Sequence, residues 1–232
     1  MRFEYVFTFE GGREERFEVV VDDTSLDITA PLPENLPEWT ALDFEQCPHC
    51  PLGIAEYPQC PLAARILPLV ERLKDLVSFT EADVSVLTEA REIRAHTTLQ
   101  RGLSSLMGLI IPASGCPHTT FFRPMAKFHL PFSTEDETAY RAISMYLLAQ
   151  HFREEEGDVR DVALKGLRKI YENIGTVNMH VAKRLRAVEG QDSSVNAIIL
   201  LDIFSQVVPV IIDECLEQVS LLFKPYLDDG QQ

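Results

Sequence analysis

The sequence predicts an α+β protein, with a small β-rich N-terminal part and a larger C-terminal helical bundle on which it packs. Two observations carry this prediction. Residues 2–21 contain two strand-like segments around a Gly-Gly turn, whereas apolar residues recur at helical spacing beyond Thr98. We therefore expect two regions, a β-rich part with a Cys-rich loop at 1–96 and a helical part at 97–232.

The first half of the chain is predicted to supply the strands. Residues 2–9 and 16–21 flank "EGGREE" and should form a hairpin, and 83–96 alternate well enough for one or two further strands. Between them, 22–46 is acidic and proline-containing, which indicates an extended connector that Trp39 anchors to the body. The cysteine-rich loop follows at 47–60.

Helix boundaries are indicated by proline, glycine and capping residues. Pro61 suits the first position of a helix that Cys60 caps and that runs to about Val77, with a kink or break at Pro68. A central helix should run from Thr98 to Gly115. The aromatic segment after it is predicted to be more loop than helix. Further helices are expected at 135–155, capped by Ser133 or Thr134, and at 159–188 and 194–224.

The composition excludes several classes of function. A net charge of −15 is unfavourable for nucleic-acid binding, which needs a basic surface. The most apolar run, 197–212, is interrupted by polar residues and is too short for a membrane span. The N-terminus shows no secretory pattern, so we expect a cytoplasmic protein. The run at 197–212 indicates either the centre of a helical bundle or an interface with a second copy, which leaves a monomer or a homodimer.

Four of the five cysteines share one local motif, because Cys47, Cys50, Cys60 and Cys116 are each followed directly by proline. Proline makes up 14 of 232 residues, so this coincidence has a chance on the order of one in 10⁵. Cys215 lacks the motif and is predicted to be a small buried residue. Structural disulfides are not expected in the cytoplasm.

The four thiols predict a metal site. Cys47 and Cys50 form a Cys-x-x-Cys pair that lets both sulfurs face one ion, proline stiffens each turn, and Cys60 and Cys116 complete the set. Four thiolates suit Zn²⁺ in a structural role or a 4Fe–4S cluster. Zinc sites more often contain two Cys-x-x-Cys pairs, whereas Cys-Pro recurs in cluster motifs, so both stay open. A thiol-dependent enzyme is a further alternative.

Two histidines follow the same pattern. His49 and His118 each stand two residues after a Cys-Pro cysteine. Either histidine could replace a cysteine as a ligand, or it could bond to a ligating sulfur from outside the coordination shell. An ordinary loop histidine without metal contact is the remaining interpretation.

A stretch without Asp or Glu extends from Ile93 to Thr134 and contains the fourth Cys-Pro unit. Its basic side chains could form a pocket for a small anion or for an acidic protein, could balance the charge of a metal–thiolate centre, or could make ordinary ion pairs. The residues concerned are Arg94, Arg101, Arg123, Lys127 and His129.

The amino-acid sequence from Cys47 to Phe152 resembles that of a bacterial family of unknown function. The resemblance is carried by "CPHCPL", by "SGCPH" within "RGLSSLMGLIIPASGCPHTTFFRPMAKFHLPF", and by "YRAISMYLLAQHF". It implies a bacterial origin and no particular activity.

Overall fold

The computed structural model describes residues 1–188, 216–217 and 219–228. It confirms the α+β class, since an N-terminal antiparallel sheet is accompanied by helices in the rest of the described chain. The four strands are ordered β2-β1-β3-β4. Their bounds are β1 Arg2–Phe9, β2 Glu14–Val20, β3 Glu81–Thr88 and β4 Glu92–Thr98.

The hairpin and the alternation of side chains produce this sheet. Gly11 and Gly12 have φ angles of +86° and +87°, a left-handed conformation that glycine adopts without a steric cost. Alternate residues of β1 face the core, with Tyr5 and Phe7 completely buried. β3 pairs with the other edge of β1, and Val84 lies opposite Phe7 in that register.

Helices follow the cysteine-rich loop and β4. Their bounds are α1 Pro61–Leu73, α2 Leu99–Ile110, α3 Arg123–Lys127, α4 Glu135–Glu155 and α5 Lys165–Arg186. Short 3₁₀ turns occupy Glu38–Thr40 and Pro117–Phe122, and residues 219–228 are helical. None of the helices in the described ranges combines the length and the apolar character that a membrane crossing requires.

The central helix predicted after Thr98 lies against the sheet. Gly102 of α2 approaches the strands so closely that a Cβ there would lie 2.5 Å from Cε1 of Phe7. The hydroxyls of Tyr5 and Ser105 are 2.9 Å apart and bond the same helix to β1. The helix ends at Ile110, earlier than predicted, and Gly115 has its φ of +91° in the turn that follows.

Two local predictions differ from the structure, the first of them in part. The predicted break at Pro68 does not occur, because Leu67 and Leu69 are buried and their packing offsets one lost helical hydrogen bond, while the alternative of a kink stays a prediction. Residues 117–127, predicted to be mostly loop, form the 3₁₀ turn and α3, each with a proline at its start. Most of the predicted helix at 194–224 and Cys215 lie outside the described residues.

The described residues divide into two compact units. Residues 1–132 with 174–188 form the first, and 133–173 with the described part of 216–228 form the second. In the second unit, Thr134 caps α4, as one of the two predicted capping residues, and it does so through a capping box. The Thr134 side chain accepts a hydrogen bond from the Glu137 backbone, while the Glu137 carboxylate accepts one from the Thr134 backbone.

Candidate metal centre

The four Cys-Pro cysteines, here called the cysteine cluster (Cys47, Cys50, Cys60 and Cys116), line one cavity in the first unit. All four are partly buried, and none forms a disulfide. The cavity has a volume of about 20 Å³, room for one water molecule or one metal ion. Apolar side chains supply much of its wall, together with His118 and Arg184; they include Leu42, Leu52, Leu62, Val177 and Val181.

The loop that carries three of these cysteines is closed at its base. The Cys60 N–H donates to the Thr40 carbonyl at 2.8 Å, and the Leu42 N–H donates to the Pro58 carbonyl at 3.0 Å. Buried Thr40 also donates its hydroxyl to the Gln59 side chain at 2.8 Å. The two ends of the cysteine-rich loop are therefore paired, which directs the loop toward the start of α1.

The Cys-Pro-His tripeptide repeats in structure as well as in sequence. The Cys50 N–H donates to the Cys47 carbonyl at 3.0 Å, and the Thr119 N–H donates to the Cys116 carbonyl at 3.1 Å. Both tripeptides thus form the same hydrogen-bonded turn, with Thr119 in the place of the second cysteine.

Cys60 and Cys116 share a second local feature. Each precedes a proline that begins a helical segment, and their φ and ψ angles are −68° and 115° for Cys60 and −68° and 124° for Cys116. A residue before proline is restricted to extended backbone, and proline is favoured at the first helical position. The Cys-Pro motif therefore explains the conformation of both cysteines.

The two histidines of the repeat meet each other. His118 Nε2 donates to the His49 carbonyl at 2.8 Å, and the two imidazole rings stack with centroids 3.9 Å apart. His118 lines the cavity, whereas His49 is not among its lining residues. With Nε2 engaged by a carbonyl, the geometry favours His118 as a residue that supports the cluster from outside.

The electrostatics of the cavity oppose free thiolates. Burial raises the pKa of Cys47 to about 12, and the three other thiols of the cluster add to this rise, while Arg184 counters it. Burial also raises the pKa of Cys116 to about 11, and the backbone N–H groups of His118 and Thr119 counter this rise only in part. These two thiols are protonated near neutral pH unless a cation enters the cavity.

Arg184 of α5 was missed by the sequence analysis. Its side chain is almost fully buried, and its guanidinium donates to the carbonyls of Trp39, Ala41 and Leu42 at 2.6–3.1 Å. Val177 lies seven residues earlier on the same helix and lines the same cavity. A charged residue at helical spacing within an apolar face is the signal that could have identified it.

The side chains of the cysteine cluster are not arranged as a coordination sphere. Within the described ranges, no three His, Cys, Asp or Glu side chains are grouped so that they could hold a metal ion. The structure brings the four predicted ligands to one cavity, with His118 beside them, but does not place their sulfurs around one point.

The basic residues predicted to form an anion pocket have separate surroundings. Arg94 lies on exposed β4 and bonds to Glu92 at 2.7 Å, and Arg101 is exposed on α2. Arg123, at the start of α3, forms an ion pair with Asp27. The contacts of Arg94 and Arg123 correspond to ordinary ion pairs.

The other two members of that set also have their own contacts. Lys127 Nζ is 3.4 Å from the Asp23 carbonyl. His129 Nε2 lies 2.5 Å from the hydroxyl of Tyr5, which also contacts Ser105. The anion pocket stays a prediction, and the cysteine cluster is the site for which the geometry offers support.

Comparison with known proteins identifies the family. The family model described as "Domain of unknown function (DUF6901)" matches residues 3–224. The chain belongs to this family. Neither a curated protein nor a solved structure matches the chain. The family assignment agrees with the resemblance to an uncharacterised family and carries no activity, so the function is argued from the site.

Proposed function

We propose that this protein binds one Zn²⁺ through Cys47, Cys50, Cys60 and Cys116, and that the ion has a structural role. The observation that supports this is the convergence of all four Cys-Pro cysteines on one small cavity. Their positions span 70 residues of sequence, from 47 to 116. Four thiolates around a single ion match the tetrahedral preference of zinc.

Binding requires the sulfurs to turn toward one point. A cysteine side chain has one heavy-atom torsion, and a change of its rotamer moves the sulfur while the backbone stays in place. The backbone of the site is already restrained, by the turn at Cys47 and Cys50 and by the prolines after Cys60 and Cys116. Ion binding then needs side-chain rotation and small loop movements.

The pattern of N–H groups supports a thiolate at Cys116. Proline at the next position has no N–H, and the backbone N–H groups of the two following residues are the ones that lower the pKa of this thiol. Hydrogen bonds from backbone N–H groups stabilise the charged form of an acceptor. In a zinc site they would spread the negative charge of the sulfur.

The same site is poorly suited to the two alternatives. The spacing Cys47-x₂-Cys50-x₉-Cys60 is not a ferredoxin spacing, which favours a single ion over a 4Fe–4S cluster. A thiol enzyme needs a lowered pKa at its nucleophile, whereas burial raises the pKa of Cys47 and Cys116. With four protein ligands no coordination position remains open for a substrate, which supports a structural role over catalysis.

Such an ion would join three parts of the first unit. It would hold the loop with Cys47 and Cys50 to the start of α1, at Cys60, and to the turn after α2, at Cys116. Closing a long loop costs conformational entropy, and a coordinate bond offsets this cost in the folded state only.

Elemental analysis of protein purified without oxygen tests the proposal. We expect about one zinc per chain, no iron, and no visible absorption. The protein should also bind Co²⁺ in place of zinc and then show the intense thiolate-to-cobalt bands of a tetrahedral thiolate site. About four irons per chain with a broad visible shoulder would establish the cluster alternative. Absence of both metals, with no cobalt spectrum, would refute the metal site.

A further inference from the structure

We propose that Arg184 is the charge-compensating residue of the metal–thiolate centre and that it thereby determines the affinity of the site for its metal. This inference rests on the proposed zinc site. Arg184 is only 2% exposed, lines the cavity of the cysteine cluster, and belongs to the same compact unit.

A buried guanidinium needs compensation for its lost hydration. The carbonyls of Trp39, Ala41 and Leu42 satisfy several of its N–H donors but bring no net negative charge. Within the described part of the chain, no carboxylate forms an ion pair with Arg184, although many surface arginines have such partners. The cation is therefore buried beside thiols without a carboxylate partner among these residues.

A zinc ion with four thiolates provides the missing charge. Such a centre carries two negative units, and one guanidinium reduces the net charge of the pair to a single negative unit. In a partly dehydrated cavity this attraction is screened less than at the surface. The metal-loaded centre and Arg184 should therefore stabilise each other, and removal of the positive charge should weaken metal binding.

Arg184 also has a positioning role that must be separated from its charge. Its three carbonyl partners lie in residues 39–42, and the Thr40 carbonyl accepts the Cys60 N–H. Loss of the guanidinium could thus disturb the site through the backbone alone. Lysine keeps the charge but cannot reproduce the planar fork of donors, whereas methionine removes both.

The test compares Arg184→Met and Arg184→Lys with the unmodified protein by competition for zinc against a chromophoric chelator. Arg186→Met is the matched control, because Arg186 is exposed two residues away on the same helix. We expect Arg184→Met to bind zinc about 10–100-fold more weakly. Arg184→Lys should stay within a few-fold of the unmodified protein, and Arg186→Met should not change.

A second measurement is sensitive to the positive charge of Arg184. Loading a single iron into the site allows its Fe³⁺/Fe²⁺ reduction potential to be compared among the same variants. A nearby positive charge favours the more reduced, more negative centre, so Arg184→Met should lower the potential and Arg184→Lys should retain it. A purely structural contact would not produce this difference between the two substitutions.

The outcomes are distinct. Equal zinc affinity and equal potential in Arg184→Met would overturn the inference and leave the zinc site standing. An equal loss of zinc affinity in Arg184→Lys and Arg184→Met would overturn it too, because backbone positioning would then explain the effect.

Should Arg184→Met fail to fold, the lysine variant decides alone. Retained zinc affinity supports compensation by charge, and a loss of 10-fold or more (about the lower expected limit) contradicts it. If the unmodified protein binds no zinc, the proposed function itself fails.

Discussion

The imidazole rings of His49 and His118 stack with their centroids 3.9 Å apart and their planes 15° from parallel. These residues are 69 positions apart in sequence, and His118 Nε2 also donates to the His49 carbonyl at 2.8 Å. The contact joins the two Cys-Pro-His turns, and so it links the Cys-x-x-Cys pair to Cys116. It connects the distant segments of the proposed site without a metal.

His118→Phe tests whether this histidine supports the site or ligates the metal. Phenylalanine retains a ring for stacking but loses the hydrogen bond to His49, so we expect the free energy of unfolding to fall by about 1 kcal/mol. The thermal midpoint should drop by about 2–4 °C. The protein should still contain one zinc per chain by elemental analysis.

The matched control is His151→Phe, since His151 is half exposed on α4 and contacts Glu155 and Phe152 of the same helix. Its midpoint and zinc content should stay unchanged. Loss of zinc from folded His118→Phe would contradict this expectation and would make His118 a candidate ligand in place of one cysteine of the cluster.

Cys116→Ser tests the link between metal and stability. Serine stays protonated near neutral pH and is a poor zinc ligand, so zinc should be lost. When the free zinc concentration is about 100 times the dissociation constant, loss of zinc binding lowers the free energy of unfolding by about 2.7 kcal/mol. The midpoint measured with zinc present should then fall by about 5–10 °C.

Cys215→Ser is the chemical control for this change, because Cys215 lacks the following proline and lies outside the described residues. It should keep its zinc. Full zinc content and an unchanged midpoint in Cys116→Ser would remove Cys116 from the ligand set.

Gly102→Ala probes the contact between α2 and the sheet. The new methyl group would lie 2.5 Å from Cε1 of Phe7 and 3.2 Å from Cγ2 of Val84, and both of those side chains are buried. Overpacking of this kind costs about 1–3 kcal/mol, which chemical denaturation can measure. Gly108→Ala on the same helix meets no atom within 4 Å and should stabilise by about 0.4–1 kcal/mol. Equal effects of the two substitutions would contradict the close approach.

The hydrogen bonds of Asp161 predict that the local stability of the second unit depends on pH. The Gly166 N–H donates to Asp161 Oδ2 at 2.7 Å and lowers the pKa of this carboxyl, and the Tyr146 hydroxyl donates to the same oxygen at 2.9 Å. Because the folded pKa is depressed, the contribution to stability is full above about pH 4 and is lost as the pH falls through the folded pKa. The hydrogen-exchange protection factor of the Gly166 amide should decrease over that range.

Asp161→Asn should lower this protection at neutral pH and remove its dependence on acid. Asp158→Asn is the control, since Asp158 pairs with Arg153 at the surface. Protection that stays constant down to pH values well below the ordinary carboxyl pKa would contradict the role of Asp161.

Much of the local structure was predictable because it depends on neighbours close in sequence. The Gly-Gly hairpin, the start of α1 at Pro61 and the capping box of Thr134 are all confirmed. The persistence of α1 past Pro68 was not predictable in this way, since packing of buried neighbours outweighs the local preference of proline. Local propensity is a weak guide wherever tertiary contacts oppose it.

For the candidate site, the sequence by itself determined which cysteines share the Cys-Pro motif and what backbone conformation that motif imposes. Only the tertiary structure decided that the four thiols line one cavity, that His118 stacks on His49, and that Arg184 lies beside them. The physical reason is distance along the chain. Arg184 donates to a carbonyl 145 positions away. Its guanidinium is buried, and therefore needs charge compensation, only once these segments have packed together.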